Sequence, residues 1–448
     1  MKQTMIALLF LYGTSIYAQE LLESLSLEET EQGKNTGIEF SGYVRGSVFG
    51  GSKDYDYSMV FGESGFQGKL FRNKSFLYTD IRVRSGLQFD DELNQVELKE
   101  AYAGYSSGKV DVLLGNQIVT WGRADGFNPT NNITPVDYFF LSSEPDDQKL
   151  SNLLIRIKYR INPRIDLDIV AIPIFKPSVY RYDLFDMGGY ATFIESSLPG
   201  KSLKNGSAAA RLNIELSNVG FSLSYFRGFD PFYGFNVKGI DWSGGLPLIS
   251  YTATPYLKNT IGADFAVPLG SWIVRGELAC NITTNKGEEI YVPNPDLQYV
   301  AGVERNLNGF NTILQYIGKY TPDFSELDAP VLIDPTNPLS QLQYANELIY
   351  YESAMLNRQI FHQQEKSNHA VSLTISKPFA YETWNTEITA YYNFTSEEYI
   401  LRPKVSWKIT DALSASAGYS YMAGPDKSIF DYSGPVLNGG FLELKVHF

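Results

Sequence analysis

Apolar and polar side chains alternate with a period of two along most of this chain, from about residue 36 to its last position. Ile38, Phe40, Val44 and Val48 interleave with Glu39, Ser41, Tyr43 and Arg45. Leu77, Ile81, Val83 and Leu87 interleave with Tyr78, Asp80, Arg82, Arg84 and Gln88. The same holds for Leu153, Ile155, Ile157, Tyr159 and Ile161 against Asn152, Arg156, Lys158 and Arg160, and for Tyr399, Leu401, Val405, Trp407 and Ile409 against Arg402, Lys404, Ser406 and Lys408. Successive side chains of an extended strand point to opposite faces, so each segment predicts a strand with one greasy face and one wet face. The last eight residues are the clearest case: Leu442, Leu444, Val446 and Phe448 share one face, and Glu443, Lys445 and His447 the other.

About eighteen such segments can be traced. A soluble sandwich also alternates, but it turns its polar face outward and must shield its edges. Eighteen segments with no second pattern to cover them are better served by closure. The expected fold is all-β: one closed antiparallel transmembrane β-barrel over 36–448, of about 18 strands, with 16 as the alternative count.

The connections sort by size. Tight turns are expected at 72–75, 106–108, 162–164, 218–220, 269–270, 308–309, 378–382 and 410–412, and Asn308-Gly309 is the favoured two-residue hairpin turn. Longer loops at 120–150, 176–205, 229–255, 283–296, 321–367 and 423–438 alternate with them, apart from short connections at 50–56, 90–94 and 395–398. Barrels of this kind have short periplasmic turns and long external loops, and an even strand count leaves both termini periplasmic. Two hairpins set the register. A turn centred on Pro163 places Arg160 opposite Asp166 and Lys158 opposite Asp168, and a turn at Leu269-Gly270 places Asp264 opposite Arg275. A slip of one residue would throw these charges into lipid.

Composition narrows the reading. Aromatic residues make up 14% of the chain, yet mean hydropathy is −0.18, so the hydrophobic side chains are dispersed rather than gathered in helical spans. Lys2, the apolar run from Met5 to Tyr12, and Ile16-Tyr17-Ala18 before Gln19 predict a signal peptide over 1–18. Residues 19–35, with Glu20, Glu23, Glu28, Glu29 and Glu31 among leucines, are expected as a periplasmic leader, either disordered or a short acidic helix that plugs the lumen. A net charge of −13 argues against a nucleic-acid partner, and the single Cys280 excludes an intramolecular disulfide framework. His362, His369 and His447 are the only histidines, too few for a histidine-based metal site. There is no phosphate loop, dinucleotide fingerprint or CxxC pair, so neither cofactor nor enzymatic activity is expected.

The segment Trp121-Gly-Arg-Ala-Asp-Gly-Phe-Asn-Pro129, preceded by Gly115-Asn-Gln117 and followed by Pro135-Val-Asp-Tyr138, resembles a family of porin-type outer-membrane barrels of Gram-negative bacteria. Thr395-Ser-Glu-Glu-Tyr-Ile-Leu-Arg-Pro403, Thr410-Asp-Ala-Leu413 and the terminal strand ending in Phe448 are similar too. The resemblance implies residence in the outer membrane and recognition of the C-terminal strand by the barrel assembly machinery; a homotrimer follows by analogy with general porins. It also implies that loop 120–150 folds inward and narrows the pore.

The candidate constriction residues are Arg123, Asp125, Asp137, Glu144, Asp146 and Asp147 on that loop, against a lumen basic patch of Arg45, Arg82, Arg84, Arg402, Lys404 and Lys445. An acidic loop facing a basic wall would create a transverse field that orients solutes. Trp121, Phe127, Tyr138, Phe139 and Phe140 either stack on solutes or pin the loop to the wall. Residues 339–360 have mixed helical spacing and suit either a helix on an external loop or a strand extension. The function expected is passive diffusion of small hydrophilic solutes. The alternatives are a substrate-specific transporter with a saturable site, a barrel hydrolase using His369 near Ser372, and an adhesin.

Overall fold

The computed structural model describes residues 36–186, 189–284, 287 and 289–448; the expected signal peptide (1–18) and leader (19–35) lie outside the described residues. Among the described residues, eighteen strands form one sheet in which every neighbour is antiparallel. The first strand, Thr36–Gly50, pairs with the last, Gly439–His447, and so closes it. Arg45 lies opposite Lys445 at this seam, and Gly42 and Phe448 exchange backbone hydrogen bonds just beyond it. Lipid offers no partner for a bare N–H or C=O, so a sheet with this greasy outer face must have no free edge.

The alternation sorts as expected. Ile261, Leu278, Leu314, Leu401 and Leu444 are exposed on the outside, while their polar neighbours Thr260, Glu277 and Gln315 are buried within. The outer face also carries aromatic residues at both rims. Trp272, Phe310, Phe379 and Trp407 stand at the short-turn end, where Trp384 and Trp407 stack at 4.9 Å. Tyr320, Tyr392, Tyr399 and Tyr421 stand at the long-loop end. Aromatic rims bracketing an apolar band mark the two faces of a bilayer.

Turn chemistry fixes the hairpins. Asn308 and Gly309 take φ of 54° and 87° between the paired Leu307 and Phe310, as a two-residue turn demands. Arg160 faces Asp166 and Lys158 faces Asp168, as the sequence predicts. Two expectations are corrected. The connection expected at 90–94 is a two-residue turn at Phe89-Asp90, with φ of 49° and 66°. The hairpin expected at 269–270 turns on Gly270-Ser271, with Gly270 at φ 64°, so Asp264 faces Glu277 and Ala266 faces Arg275. This is a shift of two positions, which leaves every side chain on its own face and is therefore invisible to alternation.

One irregularity bears on the lumen. Asp80 pairs with Glu100 and Ile81 with Leu98, which leaves Lys99 as the extra residue of a bulge. Bulges re-aim side chains. Here Lys99 and Glu100 both reach the inward loop, Lys99 Nζ donating to the carbonyls of Asp147 and Lys149 and Glu100 Oε1 accepting from the Ile118 N–H.

The long loops build a cap that the sequence foreshadows only in part. Strands Ala191–Ile194, Gly234–Asp241 and Leu248–Thr254 form a separate small sheet. Helix α1, Pro338–Ile360, resolves the ambiguity at 339–360, with the Asn337 side chain accepting from the Leu339 N–H at its start. A second helix, α2, spans Ile429–Leu437. The Asn357 side chain of α1 bonds both the N–H and the carbonyl of Phe235, and Ser353 meets the Tyr251 hydroxyl at 2.8 Å. Phe139, Tyr182, Phe185, Tyr233, Phe235 and Tyr251 share one aromatic core beneath these elements.

The outer face generates a direct prediction. Leu278→Arg, midway along its strand and facing out, should cost about 2–4 kcal/mol in a folding titration into lipid vesicles. Ser416→Arg, facing in, should cost less than half as much.

Candidate functional site

Loop 118–151 joins strands Val110–Gln117 and Asn152–Asn162, and its polar side chains bond inward-facing residues on well-separated parts of the wall. Its first arm begins at Trp121, which is 1% exposed and packs with Val119, Ile133, Leu154, Val170 and Phe226. The indole N–H donates to Asp168 at 3.2 Å. Arg123 then reaches two strands, with Nε 2.7 Å from Asp264 and Nη2 2.5 Å from Glu215 and 2.6 Å from Asn213. Glu277 accepts the backbone N–H of Arg123 at 2.5 Å, that of Ala124 at 2.6 Å and the Thr130 hydroxyl at 2.9 Å. Asp125 pairs with Arg275, which also meets Glu304 at 2.7 Å. At the tip, Phe127 stacks on Tyr391 with centroids 5.4 Å apart.

The glycines of the Trp-Gly-Arg-Ala-Asp-Gly segment have a physical reason here. Gly122 sits at φ 117°, and a Cβ there would strike the Glu277 carboxylate. Gly126 turns the tip at φ 84°. Glycine alone takes these angles without strain, which lets two successive N–H groups converge on one carboxylate.

The second arm runs along the seam. Asp147 bridges Arg45 at 2.6 Å and Arg82 at 2.7 Å and accepts from Ser142 at 2.6 Å. Ser143 donates to Glu443 at 2.8 Å, and Lys404 Nζ meets Glu144 at 2.9 Å and the Ser143 carbonyl at 2.8 Å. The other two acidic candidates act locally. Asp146 pairs with Lys149, and Asp137 accepts the N–H groups of Phe139 and Phe140. The aromatic residues pin the loop: Phe139 and Phe140 are buried, and Tyr138 lies against Tyr180 and Phe232.

Of the six wall cations, Arg45, Arg82 and Arg84 cluster, and carboxylates on the same wall interleave with them. Glu63 pairs with Arg84 and lies 2.8 Å from Arg45; Glu97 meets Arg84 at 3.0 Å, Asp80 meets Arg82 at 3.3 Å and Glu443 meets Arg45 at 3.5 Å. Sequence reading that looked for cations passed over these acids, although they stand at the same inward parity. The field between loop and wall is therefore one of compensated pairs. Arg402 stands apart, donating to Ser420 at 3.2 Å, whereas Lys445 lies opposite Arg45 with its Nζ 4.3 Å from the Tyr43 ring centroid.

Burial pushes the Asp147 carboxyl up, but the guanidinium groups of Arg45 and Arg82 more than offset this and hold it well below the usual carboxylate range. Burial raises Asp125 despite Arg275, and raises Asp137 despite its two backbone donors. His369 offers no nucleophile pair with Ser372. It bonds the outward Tyr316 hydroxyl at 2.7 Å, whereas Ser372 is buried on the inner face.

Two outcomes follow for the loop. Asp147→Asn takes one carboxylate from two buried guanidiniums, which keep Glu63, Glu443 and Asp80, and should lower stability by roughly 1.5–3 kcal/mol at neutral pH, read by thermal unfolding in detergent. Since the folded Asp147 titrates below its unfolded value, its contribution is intact above about pH 4 and is lost as pH falls further, so the gap to the variant should narrow there. Glu277→Ala removes the acceptor of three buried donors, at about 1–3 kcal/mol each, and should open 122–130 to protease.

No family model matches the chain, and no curated protein matches it. Solved structures do. The crystal structure of Pseudomonas aeruginosa OccK11 (OpdR) superposes with a TM-score of 0.52 at 9% identity, over 92% of this chain and 96% of that one. Acinetobacter baumannii OccAB3 gives 0.52 at 10% identity, over 92% and 98%. Pseudomonas aeruginosa OpdK, crystallised with vanillate, gives 0.53 at 8% identity, over 92% and 98%. At this identity the likeness is one of fold, the closed eighteen-stranded antiparallel barrel.

Proposed function

We propose that the chain is an outer-membrane channel through which small hydrophilic solutes diffuse passively, narrowed by loop 118–151. The observation that carries this reading is a single loop fastened to opposing parts of the inner wall, by Asp147 at Arg45 and Arg82 and by Arg123 and Glu277 at the far strands. Such a crossing reduces an interior eighteen strands wide to a passage of solute size. The charges act mainly by holding the loop, which sets the width of the passage.

The short turns would face the periplasm and the cap the outside, with the strand ending in Phe448 presented to the assembly machinery. The compensated wall and the pinned aromatic residues support a passive pore over a saturable transporter. The opposite facing of His369 and Ser372 removes the support for a hydrolase built on them.

Planar-bilayer recording tests the reading. The purified protein should form open channels, and deleting 130–145 should raise single-channel conductance. A sealed barrel would refute the channel, and unchanged conductance and ion preference after deletion would refute the role of the loop.

A further inference from the structure

Inward-facing side chains do not share one environment around the barrel. From the first strand through Trp272–Thr283 they are packed shut at mid-height: Arg45, Glu63, Asp80, Arg82, Arg156, Asp168, Arg211, Ser222, Thr260, Asp264 and Glu277 are all buried. These are the positions that the loop covers or that pair with one another. From Ser367–Phe379 to Leu413–Ala423 the pattern reverses below the long-loop end, toward which the inward Asn368, Ala370, Ser372, Asn393 and Met422 are still buried. Thr374, Ser376, Thr389, Ser406, Ser414, Ser416 and Ser420 are half-exposed, and Arg402 is exposed, although all point inward.

Small hydroxyl side chains are the commonest lining of this sector, beside Asn385, Tyr391 and a few charges. Thr374 stands opposite Thr389 with their hydroxyls 3.1 Å apart, Ser376 opposite Glu387, and Ser406 opposite Ser416. Glu387 and Lys404 face each other across adjacent strands, and Glu144 of the loop also pairs with Lys404. With Arg402, the two cations and two carboxylates cancel. Hydroxyls recur at successive inward positions, about 7 Å apart, at Ser372, Thr374 and Ser376 on one strand and at Ser414 and Ser416 on another, with Thr389 and Ser406 between them, and each donates and accepts.

We propose that solutes travel off axis, along the wall formed by these four strands, and that this hydroxyl-lined, charge-balanced path selects uncharged polyhydroxylated solutes over anions of similar size. The inference rests on the channel reading above. A neutral polyol crossing here exchanges water hydrogen bonds for the hydroxyls of Thr374, Ser376, Thr389, Ser406, Ser414 and Ser416. An anion meets one exposed guanidinium, with Glu387 nearby to oppose it.

Two experiments test it on the full-length protein in a Cys280→Ala background, which removes the native thiol from the outer face. Thr374→Cys and Ser416→Cys are compared with Ser222→Cys and Thr260→Cys, each checked for heat-modifiable mobility as a sign of folding. A membrane-impermeant thiosulfonate should lower the conductance of the first two by about two-fold or more and leave the last two unchanged. Block at Ser222→Cys and Thr260→Cys, with Thr374→Cys and Ser416→Cys inert, would overturn the path. In liposome swelling, a neutral hexitol should enter faster than a dicarboxylate of matched size, and Arg402→Ala should leave the hexitol rate within about two-fold. Faster entry of the dicarboxylate, abolished by Arg402→Ala, would make the path an anion route and overturn the solute class while the channel stands. Loss of all conductance in the parent would instead sink the channel reading itself.

Discussion

The backbone cannot leave a hydrogen-bonding group bare in hydrocarbon, and everything else in this molecule depends on that constraint. It forces the first strand onto the last and removes the sheet edge. Closure then gives the alternation its meaning: one parity faces lipid between two aromatic rims, and the other faces an enclosed interior. An interior eighteen strands around is too wide to be filled by wall side chains alone. The chain fills much of it with loop 118–151, and the polar parity supplies the attachment points.

The attachments are ionic and buried, which governs how they act. Removing two charges from water costs several kcal/mol per ion, and their attraction returns this only when geometry is good and the remaining donors are satisfied. In the Asp147 cluster the carboxylate is fully engaged, each oxygen on a different arginine and a serine hydroxyl beside them, although the buried Nε of Arg45 makes no hydrogen bond among the described residues. Glu277 is held without a cation, by two backbone donors and a hydroxyl. Such clusters add little net stability but admit one arrangement, and a loop held in one arrangement sets a fixed passage. The same pairing neutralises most of the charge on the inner wall.

How much of this was legible follows from what a period of two can and cannot encode. Parity was legible throughout, because a misplaced charge would fall in lipid. The Asn308-Gly309 hairpin was legible from its turn chemistry. The Gly270-Ser271 hairpin was misplaced by two residues because a shift of two changes partners without changing faces. The bulge at Lys99 escaped notice for a related reason: an inserted residue next to Glu100 reads as ordinary polar sequence. Helix α1 was half legible from its spacing, whereas α2 contains Gly434 and Pro435, which argue against a helix. At the site, the loop and its cations were found from charge and motif. Glu63, Glu97, Glu277 and Glu443 were not, since only three dimensions show which inward carboxylate meets a guanidinium and which meets backbone N–H groups.

Tryptophan fluorescence in vesicles containing brominated lipid tests this arrangement most directly, using variants that retain one tryptophan each. The account predicts that Trp272 and Trp407 are quenched by the lipid, while Trp121 is shielded from both the lipid and aqueous iodide. Strong lipid quenching at Trp121, or none at Trp272 and Trp407, would contradict a closed barrel with its greasy face outward and its loop locked inside.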